Sequence, residues 1–181
     1  MQERGPDTRT LRQGLLAIVV IAAVIFGLVK LLGDDDSNGD EGPVGLSESE
    51  LMEEAGSFST PVYWVGPRPG TDQYELTRTE DGRIYVRYLT GSAEVGAQTP
   101  DYLTVGTYPV AGAKQALRRS QEEGGTEGLL ELPGRDVLKG GSGQNVYVAL
   151  NDQPDLQIEI FDPTPGRALR FAKEGALQVI P

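Results

Sequence analysis

Arg83, Tyr85 and Arg87 alternate along RIYVRYL, so an extended strand carries all three on one side. Two guanidinium forks around an aromatic ring suit an anion or a sugar-phosphate group. Upstream, PVYWVGPRPG (61–70) sets Trp64 in a β-branched run and Arg68 between two prolines on a stiff turn. Trp64, Arg68, Arg83, Tyr85 and Arg87 are therefore the ligand-binding candidates. The competing reading makes that side a solvated strand face, with Glu75 paired to Arg87 and Arg83 discouraging edge pairing. Along 61–65, Val62 and Trp64 face one way and Tyr63 and Val65 the other, so the strand is apolar on both sides. The stretch reads first as core and connection, and second as ligand surface.

Other chemistries find little support. The chain has no histidine and no cysteine. That removes the usual general base near neutral pH, the Ser-His-Asp and Cys-His arrangements, disulfides and the commonest zinc ligands. Asp34-x-Asp36-x-Asn38-Gly39 matches the first half of a calcium loop, but its twelfth position is Gly45 in place of a bidentate Glu. It reads as solvated linker. GGSG (140–143) precedes a strand, whereas a phosphate cradle opens a helix, so a hairpin connection is expected there. Paired carboxylates or a serine with Lys114, Lys139 or Lys173 would serve an enzyme, yet no spacing links them. No catalytic residue, cofactor or metal is assigned.

The charge is unevenly spread. The net charge is −11, and residues 34–54 hold nine acids and no base. A phosphate-backbone binder needs clustered positive charge, so nucleic acid is not an expected partner. GLLAIVVIAAVIFGLVKLL (14–32) is nineteen residues with one charge, Lys30. As a helix it spans roughly 28 Å, close to the hydrocarbon core of a bilayer. Its apolar run is too long for a cleaved signal peptide, and LVKLLGDDD offers no paired small residues at the −3 and −1 positions of a cleavage site. Arg4, Arg9 and Arg12 precede it and no base follows Lys30 until Arg68. The positive-inside bias places the short tail in the cytoplasm and the C-terminal part outside a plasma membrane.

Four parts follow: a cytoplasmic tail (1–12), a single-pass transmembrane helix (13–32), an acidic linker with a short helix (33–57) and an extracytoplasmic domain (58–181). Ser47 and Glu50 form a capping box for the linker helix, which stops at Gly56. In the domain, YELTRTEDGRIYVRYL is a hairpin. A three-residue loop, Glu80-Asp81-Gly82, pairs Tyr74 with Tyr88, Leu76 with Val86 and Glu75 with Arg87, giving one apolar and one polar face. Strand 102–109, helix 110–125, strand GLLELPG, a second hairpin around NDQP, helix RALRFAKEG and strand ALQVI complete it. The order strand, strand, helix with Ala-Leu-Arg, strand occurs twice. The expected fold is α+β: a mostly antiparallel sheet with two short helices on one face, built from two ββαβ repeats.

At PVYWVGPRPG and YELTRTEDGRIYVRYL the chain resembles uncharacterised single-pass, membrane-anchored envelope proteins of high-GC Gram-positive bacteria. Twelve arginines against four lysines suit that origin. The resemblance covers most of 61–118 and implies an anchored outer domain, with no activity, cofactor or site residues attached. The expected function is a membrane-anchored extracytoplasmic binding module with an envelope or protein partner. An anchored envelope enzyme and an accessory subunit of a membrane complex are the alternatives.

Overall fold

The computed structural model describes residues 42–124 and 128–181. The expected transmembrane helix, the arginine-bearing tail and residues 34–39 of the half calcium loop lie outside them. No helix among the described residues is long and apolar enough to cross a membrane.

Alternating strands build the sheet. Eight of them, β1 (Val44–Leu46), β3 (Gln73–Arg78), β4 (Ile84–Leu89), β5 (Thr104–Pro109), β6 (Leu129–Leu132), β7 (Arg135–Lys139), β8 (Asn145–Leu150) and β9 (Leu156–Phe161), lie in the order β1-β3-β4-β5-β9-β8-β7-β6. Every neighbouring pair is antiparallel. Two further short strands, β2 (Tyr63–Trp64) and β10 (Gln178–Val179), pair with each other. Helices α1 (Glu48–Gly56), α2 (Ala113–Gly124) and α3 (Arg167–Lys173) complete the described elements of this α+β layer.

The β3–β4 register is the expected one. Tyr74 faces Tyr88, Leu76 faces Val86 and Glu75 faces Arg87, and the Thr79 N–H donates to the Arg83 carbonyl at 3.0 Å. Gly82 closes the loop at φ 80°, a left-handed conformation that only glycine takes without strain. At the β6–β7 turn, Pro133 and Gly134 connect the paired ends Leu132 and Arg135. Sequence reading missed β7, although Pro-Gly between LLEL and RDVLK is a hairpin signal.

Residues opposite one another in these registers share a face. Leu76, Val86, Val105, Ile160 and Val146 lie on one side, in a core with Leu51 and Ala55 of α1 and Ala168, Phe171 and Ala172 of α3. Val62–Val65 belong to the same core. Strand β2 crosses this side of the sheet, where the Val65 N–H donates to the Tyr88 hydroxyl at 2.9 Å. The opposite side carries Tyr147, Leu138 and Ala149, which receive Ala113 and Leu117 of α2. The helices therefore lie on both faces, not one. The cause is an apolar patch on β7 and β8 within the otherwise polar side, and it captures the Ala-Leu face of α2.

The two ββαβ halves diverge as well. A two-fold relating the antiparallel β5 and β9 would put α2 and α3 on the same side. Their last strands also separate, since β6 joins the large sheet beside β7 whereas β10 pairs with β2. The sheet also begins earlier than Phe58. β1 pairs with β3, and Leu51 of α1 is fully buried, so residues 44–56 contribute to the layer. The capping box on α1 is present, with Ser47 N–H to Glu50 Oε2 at 2.8 Å.

Candidate functional site

The polar side of the sheet is covered rather than bathed in water. Glu75 and Arg87 are 1% and 2% exposed and pair at 2.7 Å. Their remaining bonding capacity goes to the loop between β4 and β5. Arg87 Nη2 donates to the Ala97 carbonyl at 2.8 Å and the Thr99 carbonyl at 3.2 Å. The Gly96 N–H donates to Glu75 Oε2 at 2.6 Å, and the Arg87 guanidinium lies 5.4 Å from the centre of the Tyr102 ring. Buried charges persist where such bonds replace water. The pair pins the 90–103 loop over the sheet.

One row along, Thr77, Tyr85, Gly106, Glu159 and Tyr147 share the same side. Glu159 is buried, and burial raises its carboxyl above the ordinary value; bonds from Asn145, Tyr108 and Tyr147 work the other way. The Tyr108 hydroxyl donates to Glu159 Oε2 at 2.9 Å. Burial, then the Glu159 charge, hold the Tyr108 phenol well above its usual value. Gly106 makes this bond possible. A Cβ there would come within 2.7 Å of Tyr108 Cζ, so only glycine lets the Tyr108 ring fold back along its own strand. Tyr85 packs edge-on against Tyr108 at 5.6 Å and bonds both Tyr108 and Arg83. Arg83, Tyr85, Tyr108 and Glu159 thus form a chain from the surface to a buried carboxyl.

Its outer end opens into a cleft of about 390 Å³ between the β3–β4 turn and α2. Tyr108 and the buried Gln157 lie at its base, with Pro109, Val110, Ala111 and Ala116 as apolar walls. Arg83 and Arg119 bring positive charge and Asp81 negative charge; Ser120 also lines it. Arg83 Nε pairs with Asp81 at 2.8 Å. The Ser120 hydroxyl donates to the Ala116 carbonyl at 2.9 Å. Among the described residues there is no group of acids able to hold a metal ion.

The five candidates named from sequence do not converge. Trp64 is 2% exposed in the apolar core. Arg68 lies on that side too, its guanidinium 4.5 Å from the Phe171 ring centre and its Nη2 bonded to the Val65 carbonyl. Tyr85 and Arg87 are buried on the polar side, and Arg83 alone lines the cleft. Arg119 and Tyr108 were missed. Arg119 stands in a run, Arg118-Arg119, whose members point to different neighbours: Arg118 pairs with Glu131 and Asp136. Helical spacing separates them by about 100°, and that was the available signal.

A covered α+β layer with an arginine-lined cleft on its polar side is thus the class that the described residues define. No protein family, curated protein or solved structure matches the chain.

Proposed function

We propose that this chain is a membrane-anchored extracytoplasmic binding module. The observation that carries the reading is the cleft beside α2, which leaves Arg119 facing solvent while neighbouring bases are tied into internal ion pairs. The apolar run 14–32, flanked by Arg4, Arg9 and Arg12 on one side and the acidic linker on the other, supports the anchor and its orientation. On this reading the tail is cytoplasmic and the sheet domain lies outside the plasma membrane, where it meets an envelope or protein partner. The net charge of −11 argues against nucleic acid as that partner.

An anchored envelope enzyme is the second reading, favoured by one observation. Glu159, a carboxyl raised by burial, stands one hydroxyl behind the cleft, and perturbed acids concentrate at catalytic sites. It ranks second because Asn145, Tyr108 and Tyr147 occupy Glu159, which does not line the cleft.

Cysteine labelling on intact cells tests the anchor. Ser37→Cys should react with an impermeant maleimide and Thr8→Cys should not. Labelling at position 8 alone overturns the orientation, and a mature chain starting near Asp34 overturns the anchor.

A further inference from the structure

We infer that the cleft between the β3–β4 turn and α2 binds a small molecule with a phosphate or carboxylate head on a compact apolar body. This rests on the binding-module reading and assigns that module's ligand class.

Charge is the first argument. The lining holds Arg83 and Arg119 against Asp81 alone, a local positive surplus in a chain of net charge −11. The overall field of the protein works against an anion here, so the surplus is a property of the site. The second argument is pairing. Lys114 and Arg118 of the same helix reach Asp136, Arg87 reaches Glu75 and Arg167 reaches Asp162. Arg119 has no carboxylate partner among the described residues, although Glu122 and Glu123 lie one turn along its helix. An arginine N-terminal to glutamate is the weaker orientation of such a helical pair.

Preorganisation is the third. Asp81 and the Tyr85 hydroxyl hold Arg83 in place, and a guanidinium carries five donors, enough to keep both bonds and still donate to an oxyanion. Two arginines at one cleft match the planar, bidentate geometry of phosphate and carboxylate. Shape supplies the body of the ligand. A volume of about 390 Å³ exceeds a bare phosphate and falls in the range of small-molecule sites. Pro109, Val110, Ala111 and Ala116 give that body an apolar wall.

Titration calorimetry of the full chain in detergent micelles tests this, with phenyl phosphate, benzoate, inorganic phosphate and phenol as probes. At least one of phenyl phosphate and benzoate should bind about tenfold or more tightly than phenol and than inorganic phosphate. Preference for phenyl phosphate assigns a phosphate head, and preference for benzoate a carboxylate head. Arg119→Glu, at an exposed position, and Ala116→Trp, which fills the cleft, should each weaken binding about tenfold or more. Arg170→Glu makes the same charge change at an exposed position of α3, across the sheet, and should leave affinity within about twofold. Silence from both aromatic anions at millimolar concentration overturns the inference. So does equal weakening by Arg119→Glu and Arg170→Glu, which marks general charge attraction. An anion-blind cleft with a labelled Ser37→Cys sinks the ligand class and leaves the anchor standing; anion binding with an unlabelled Ser37→Cys does the reverse.

Discussion

The two sides of the eight-stranded sheet are both buried, yet they are built from opposite materials. One packs Val, Ile, Leu and aromatic side chains against α1, α3 and β2. The other sets Glu75, Arg87, Tyr85, Tyr108 and Glu159 under α2 and the 90–103 loop. Strict alternation along a strand separates apolar from polar positions, but it does not say whether water or protein covers the polar ones. On the apolar side burial itself stabilises, at about 25 cal/mol per Å². On the polar side each buried group must find a partner or cost stability. A cleft with surplus charge arises where that internal pairing gives out, at the edge of the polar side.

The largest effects should come from breaking one member on each side. Trp64→Ala should cost about 3–5 kcal/mol by emptying an aromatic core site. Arg87→Ala should cost about 3–5 kcal/mol because it strands a buried Glu75. Urea unfolding of the purified chain measures both. The double change Glu75→Leu with Arg87→Met should recover much of the second loss. A neutral Arg87→Ala would mean that water reaches the polar side, and the contrast between the two sides would collapse.

Leu51→Ala should cost about 2–5 kcal/mol, since Leu51 is fully buried although it lies in the acidic 33–57 segment. A change within error would detach α1 from the core. Gly82→Val should cost about 1–2 kcal/mol, because a β-branched residue is strained at φ 80°. Asp81→Ala, at an exposed turn position, should cost clearly less, and equal losses would undo the bulged-turn reading.

Glu159 sharpens the contrast by a slope rather than a loss. Burial lifts its carboxyl above the ordinary value, so the folded state keeps that proton to higher pH than the unfolded state does. Its contribution is fully present below the unfolded-state value and falls as pH rises through the folded one. Glu159→Gln lacks this titration. Its unfolding midpoint should therefore gain on the parent's between acid and neutral pH, and parallel pH curves would show that the carboxyl is not desolvated.

Residue order alone determined a good deal. Alternation and turn chemistry specified the β3–β4 register to the residue, because a one-residue slip would exchange the two faces. The Ser47–Glu50 capping box and the core character of Trp64 were legible for similar reasons, since local bonds and an apolar run carry their own signal. The short strands were less so: β1 has three residues, too few for a period to show. What lay beyond any local signal was the cover. Only tertiary structure decided that α2 and α3 take opposite sides, that Arg68 leaves Arg83 to pack on Phe171, and that Arg119 comes to the cleft beside Tyr108. Each of these depends on which distant segment arrives to exclude water, and the free energy of a buried or exposed charge is set by that arrival rather than by its neighbours in the chain.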